Sequence, residues 1–263
     1  ALYPRPSIST TLGYLRGRVL LNGAGVFGAM VTAENAAGNT VSGTISLADG
    51  SYELAPLPPG LYQVRATPLD ASFAADTASL MRGRDIAADY DSAATAFLGT
   101  THKPVLLTAG ATNTLDLAVV GGDPPFRIAA ISRPSVFFED DTADRYASTI
   151  RAGWNNLFVG VSSTTLPTDN ATLKVSGDGL TLGFPIFKPR RFLDGSNLIL
   201  IPISVAPDAT PGLRSFIVQQ GTNIAYANGY LEVLPPFPDF NFDGLDDTFQ
   251  RRFFPLFTAP QAG

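Results

Sequence analysis

The sequence has no cysteine, one histidine and one tryptophan in 263 residues. Without cysteine there are neither disulfides nor thiolate metal sites, so the core must hold by packing. A reducing compartment is one setting for such a chain, but bacterial surface proteins with cores of this size also manage without disulfides. A single histidine, His102, cannot complete a zinc-protease helix, and both H-E-x-x-H and the G-x-S-x-G nucleophile elbow are missing. His102 is expected to face solvent or to be hydrogen-bonded, and no catalytic residue is expected anywhere in the chain. Charge is also scarce, at 16% of residues with a net charge of −5. No basic stripe is available to neutralise phosphates, which argues against a nucleic-acid role. No run approaches the roughly 18 consecutive apolar residues of a membrane span.

What is present is 45% hydrophobic residues with 25 glycines and 21 prolines. Disorder needs the opposite mixture, and this one fits many short strands joined by tight turns. The length allows two domains. Leu15, Gly17, Val19 and Leu21 alternate along a first strand. Phe27, Ala29, Val31 and Ala33 line one face of a second, and Tyr62, Val64 and Ala66 one face of a later strand. Gly38-Asn39, Asp49-Gly50 and Pro58-Pro59-Gly60 fall between apolar runs, where turns are expected. The Ala-rich stretch Ala71–Leu98 is read as an excursion between strands, with a short helix around Ala75–Arg82 as the alternative.

Asp49-Gly50-Ser51-Tyr52-Glu53-Leu54 followed by Leu57-Pro58-Pro59-Gly60-Leu61-Tyr62-Gln63-Val64 resembles the carboxypeptidase regulatory-like (transthyretin-like) domain, with its D-G-x-Y-x-L and L-P-x-G-x-Y-x-V pattern. Val105–Gly110 and Thr114–Leu117 resemble the closing strands of that family. The resemblance implies a β-sandwich that serves as a spacer or interaction platform. Gly121-Gly122-Asp123-Pro124-Pro125 marks a boundary, beyond which short apolar runs resume at Phe126–Ile131, Leu157–Val161, Ala171–Val175, Leu198–Val205, Phe216–Val218 and Tyr230–Leu234. Ile203–Gly212 and the strand after it resemble bacterial Ig-like surface domains. The expected architecture is therefore all-β, with two tandem Ig-like/transthyretin-like antiparallel sandwiches. A lead-in occupies residues 1–11, the sandwiches 12–121 and 122–235, and an acidic tail with a short helix 236–263.

The tail carries the sharpest chemical signal. Asp239, Asn241 and Asp243 stand at positions 1, 3 and 5 of a calcium loop, Gly244 at 6, Leu245 at 7 and Asp247 at 9. Alternate oxygens can converge on one cation while the glycine permits the sharp turn, so calcium is the expected cofactor. The run also resembles the first of the D-x-D-x-D-G repeats that follow bacterial sandwiches. It departs from an EF-hand at position 12, where Gln250 replaces the bidentate glutamate, and no second repeat follows. The alternative is an acidic turn in which Asp246 or Asp247 caps a helix over Thr248–Phe253. The aromatic run Arg251–Phe257 is expected to dock, either on the second sandwich or on a neighbouring subunit.

The remaining signals have plainer readings. Glu139, Asp140, Asp141 and Asp144 are read as a solvated loop, with paired-carboxylate or second-cation chemistry as the alternative. Trp154 is expected in the core, and Lys188, Arg190 and Arg191 in a surface loop. Ala1-Leu2-Tyr3-Pro4 resembles the end of a matrixin-type metalloprotease domain, which would make the chain the non-catalytic C-terminal part of a secreted protease. Both ends are read as cut. The expected role is a non-catalytic extracellular or cell-surface module engaged in protein–protein contacts, with self-assembly into a fibre through the termini as its specific version. Accessory domains of a secreted hydrolase and a carbohydrate-binding module are the alternatives.

Overall fold

The computed structural model describes residues 11–68, 97–99, 102–132, 134–135, 143–144, 148–190, 195–236 and 246–253. The first half contributes β1 (Gly13–Leu21), β2 (Ala24–Gly25), β3 (Ala29–Glu34), β4 (Thr40–Ile45), β5 (Ser51–Leu57), β6 (Gly60–Pro68), β7 (Phe97–Leu98), β8 (Lys103–Leu107), β9 (Thr112–Thr114) and β10 (Leu117–Gly121). The second half contributes β11 (Ala130–Ser132), β12 (Ala143–Asp144), β13 (Ser148–Arg151), β14 (Leu157–Ser163), β15 (Thr172–Val175), β16 (Leu180–Leu182), β17 (Ile186–Lys188), β18 (Asn197–Val205), β19 (Gly212–Gln220) and β20 (Asn223–Leu234). Among the described residues there is one helix, α1 (Asp247–Phe253), at their C-terminal end. The chain is all-β in the Ig-like sandwich class. The helix alternative at Ala75–Arg82 and the acidic run Glu139–Asp141 lie outside the described residues.

Alternation decides which face of each strand is buried. In β1, Leu15 and Val19 are buried while Arg16 and Arg18 are exposed. Tyr52 and Leu54 of β5 do the same. These residues meet Val31 and Ala33 of β3, Tyr62 and Val64 of β6 and Leu107 of β8 in one core, assembled entirely from residues between Leu15 and Val119. A second, separate core runs from Phe126 to Val233 and is built around β14, β18, β19 and β20. Trp154 packs at its margin, half-buried rather than central. Gly38 and Gly50 hold positive φ in the expected turns, at 74° and 81°.

Most ladders are antiparallel, but β1 pairs parallel with β9 and β10, and β13 parallel with β20. These partners lie far apart in sequence, so no hairpin forces them to run in opposite directions. Phe126–Ile131 differs from the expected strand. Phe126 and Ile128 do turn inward, yet regular pairing begins only at Ala130.

The two halves share one eight-stranded sheet, ordered β13-β20-β19-β4-β3-β6-β8 with β15 on the flank of β19. Its continuity across the halves rests on a single pairing, Leu213 of β19 with Thr40 of β4.

Candidate functional site: a buried polar joint between the sandwiches

Burial on both faces of β3 and β6 locates the joint. Val31 and Ala33 point into the first core, as expected, but Thr32 and Glu34 on the opposite face are only 1% and 4% exposed. In β6, Arg65 and Thr67 are covered in the same way, and Arg65 is fully buried. The cover comes from β19 and β20. Their register shifts between Arg214 and Phe216, so that Asn228, Gly229 and Tyr230 bulge opposite Ser215. A bulge re-aims side chains, and this one turns Asn228 towards the first sandwich.

Arg65 is the centre of the joint. Its Nη1 donates to Glu34 Oε1 at 2.6 Å, Nη2 to Ser215 Oγ at 3.0 Å, and Nε to Asn228 Oδ1 at 3.1 Å. The guanidinium lies over the Tyr226 ring, 4.5 Å from its centroid. Planar, always charged and rich in donors, arginine suits such a site as lysine would not. Asn228 completes its own set by donating to Thr67 Oγ1 at 3.2 Å. His102 Nε2 lies 3.1 Å from Glu34 Oε2 and also contacts Arg65 Nη1. It donates to the carboxylate or accepts from the guanidinium, according to which ring nitrogen carries the proton. The hydrogen-bonded role expected for His102 is thus met.

A second line of contacts runs along the neighbouring loops. Ser176 Oγ donates to Gly38 O at 3.0 Å, Asp178 N to Ala37 O at 3.2 Å, and Asn39 Nδ2 to Pro211 O at 3.3 Å. Gly38 and Gly177 cross backbone to backbone: a Cβ on Gly38 would lie 2.5 Å from the Gly177 Cα. Arg214 is fully buried beneath them, donating through Nη2 to Thr210 O at 2.6 Å. Burial pushes its pKa below the usual arginine value, and Asp178 and Glu34 oppose that shift.

Burial pushes the Glu34 carboxyl up, but the His102 hydrogen bond and the charge and hydrogen bond of Arg65 outweigh it and hold the pKa below the ordinary 4.5. A depressed carboxylate stabilises above its unfolded pKa, and that contribution is lost as pH falls through the lower folded value. The joint is therefore expected to be indifferent to Glu34 between pH 7 and pH 5 and to loosen only in stronger acid. Small-angle scattering across that range checks this; loosening already at pH 6 would assign the transition to another group. Glu34 is engaged by two partners and almost fully covered, so the cluster holds two surfaces together rather than presenting a base to solvent. The adjoining crevice, lined by Thr67, Pro124, Phe126 and Tyr226, has a volume of about 40 Å³, room for a water rather than a ligand.

Of the expected calcium ligands, Asp239, Asn241, Asp243 and Leu245 lie outside the described residues. Asp247 is described and is 2% exposed in the first turn of α1. Asp246 caps the helix, its Oδ1 accepting from Thr248 N at 2.6 Å and Phe249 N at 3.2 Å. Among the described residues no three metal-binding side chains cluster. On α1 Asp247 and Gln250 are buried, while Phe249 and Phe253 touch on the outside with centroids 4.5 Å apart and ring planes tilted by 42°. Phe253 is 57% exposed, so it does not dock on the second sandwich, and the aromatics after it lie outside the described residues. Lys188 is half-buried in β17 and Arg190 exposed after it.

Residues 14–85 match the family model of the Carboxypeptidase regulatory-like domain. No curated protein matches the chain. Among solved structures, it is similar to the minor pilin GBS52 of Streptococcus agalactiae, at 9% identity over 45% of this chain and 48% of that one, with a TM-score of 0.29. The major pilin subunit BcpA of Bacillus cereus is 13% identical over 86% of this chain and 70% of that one, TM-score 0.29. A putative carbohydrate binding protein from Bacteroides uniformis is 10% identical over 82% and 95%, TM-score 0.27. The chain spans about half the length of the first of these. At such TM-scores these likenesses carry no argument about role. Among the described residues no helix is long and apolar enough to cross a membrane.

Proposed function

We propose that the chain is a non-catalytic, extracellular interaction module in which two β-sandwiches are held as one rigid unit. The observation that carries this reading is the Arg65 joint. A fully buried guanidinium that bonds Glu34 on its own sandwich and Ser215 and Asn228 on the other fixes their relative orientation. Two domains on a slack linker would need no such arrangement, since inter-domain motion is the default where the contact is small. Rigid presentation is useful to a protein that must hold a binding surface at a set distance and angle. The Carboxypeptidase regulatory-like match over residues 14–85 supports a platform or spacer beside other domains, including the accessory part of a secreted hydrolase. Small-angle scattering tests the reading: one rigid conformation should fit the wild-type curve, and a spread of inter-sandwich angles would remove it.

Calcium remains part of the proposal. The loop from Asp239 to Asp247 would bind the ion and stiffen the tail, with Asp239, Asn241, Asp243, the Leu245 carbonyl and Asp247 as ligands. Calorimetric titration is expected to show one site, weakened at least tenfold by Asp243→Asn. No heat with calcium would leave the segment as an acidic turn ahead of α1.

A further inference from the structure

Strand direction decides how a β-protein meets tension along its own chain. Where the entering and leaving strands are antiparallel neighbours, both points of load lie at one end of the ladder, and its hydrogen bonds open one after another. Where the two are parallel, the points lie at opposite ends and every bond must slide at once. Parallel pairing is the rarer kind and slightly the less stable per residue. Among the described residues it occurs only between β1 and β9, β1 and β10, and β13 and β20. In the first half these are the first strand and the last two, and β20 is the last strand of the second half.

We infer that the chain is a tension-bearing element, each half locked by a parallel clamp that loads in shear. The inference goes beyond the interaction-module reading and rests on it only for the source of the load, since a module that holds a surface at a distance is pulled along its backbone. In the first half the clamp runs on across the gap between β9 and β10. Tyr14–Arg16 lie beside Thr112–Thr114, and Val19–Leu21 beside Leu117–Val119. Between them Leu115 N donates to Arg16 O at 2.9 Å, and Arg18 N to Asp116 Oδ1 at 2.8 Å. The carboxylate thus stands in for a backbone acceptor where one strand gives way to the next. Leu115 O passes so close to Gly17 that a Cβ there would lie 1.9 Å from it, and Tyr52 Oη donates to the same oxygen at 2.7 Å. Leu15, Val19 and Leu117 are buried beneath, so sliding the strands also drags side chains through the core. In the second half Ser148–Arg151 lie beside Leu231–Leu234, over buried Ile150, Leu231 and Val233. Ala152 N, donating to Leu234 O at 3.0 Å, and Arg151 Nη1, donating to Pro235 O at 3.3 Å, prolong that clamp. Strand β11 precedes it but pairs with β14 only at Ala130 and Ile131, so it is expected to come away first and pass the load to β13.

Single-molecule force spectroscopy of the full chain tests the inference, and the absence of cysteine lets thiol handles be placed at chosen positions. Thr11→Cys with Asp123→Cys, both exposed, pulls β1 and β10 from opposite ends. Thr11→Cys with Ala109→Cys, also exposed, pulls β1 and β9 from the same end. At one loading rate the first pair is expected to unfold at a force several-fold higher than the second. In the first geometry Asp116→Ala is expected to lower that force, while its melting temperature moves by no more than about 3 °C, because the lost bond is exposed. Asp116→Asn, which keeps an acceptor oxygen, is expected to restore the force. Equal forces in the two geometries would overturn the inference, and an undiminished force in Asp116→Ala would overturn the assignment of the clamp to β1, β9 and β10. Neither outcome touches the rigid-unit reading, because every handle lies in the first half and scattering reports the angle between the halves.

Discussion

Replacing Arg65 by alanine is expected to lower the melting temperature by about 10 °C and to free the two sandwiches from each other. Removing one partner of a buried ion pair costs roughly 3–5 kcal/mol because the other is left charged and unsolvated. In a chain of this size each kcal/mol is worth roughly 2–4 °C. Here the stranded groups are Glu34, at 4% exposure, and the Asn228 side chain in its bulge. The cost should therefore fall sharply when Glu34 is removed as well: Arg65→Met with Glu34→Leu is expected to recover more than half of the lost stability. Thermal unfolding of the single and double variants checks the arithmetic, and scattering reports the geometry. If Arg65→Ala melts within 2 °C of wild type, the joint is not what holds the halves together.

The second large effect is expected at Gly177. Its φ of +94° is one that side chains rarely adopt, and a Cβ there would lie 2.5 Å from Arg214 Nε. Gly177→Ala should destabilise by on the order of 3 kcal/mol, combining backbone strain with displacement of a buried guanidinium. Gly153 supplies the control, since its φ is +90° and nothing lies within 4 Å of a Cβ. Gly153→Ala carries the strain alone and should cost about 1 kcal/mol. Equal losses in chemical denaturation would mean that the close approach to Arg214 contributes nothing.

Period-two alternation made the first core legible. Leu15 and Val19, Val31 and Ala33, and Tyr62, Val64 and Ala66 all lie on the faces that the pattern assigns them. The helix cap was legible too, because an aspartate ahead of a helix-forming stretch has a local purpose, and Asp246 serves it. The same alternation hid the joint. It puts Arg65 on the outer face of β6, where an arginine reads as solvent-exposed. What covers that face lies some 150 residues later in the chain, and no local pattern encodes it. A faint signal was available: Glu34 and Arg65 have opposite charges on outer faces of strands that the fold makes neighbours. Parallel pairing of β1 with β9 and β10 was hidden for a related reason, since it depends on how distant strands return rather than on any turn between them.

That the first core closes within residues 15–119, and that what it shows the second half is polar, bears on the order in which the chain is made. A ribosome delivers the first sandwich while its neighbour is still untranslated. At that stage Glu34, Arg65 and Thr67 lie in water, where charged and hydroxyl groups are comfortable, so the centre of the future seam waits hydrated. When the second sandwich has folded, docking exchanges those hydration shells for Ser215, Asn228 and Tyr226. A wholly apolar seam would have asked the nascent half to wait with grease exposed; a charged centre lessens that exposure.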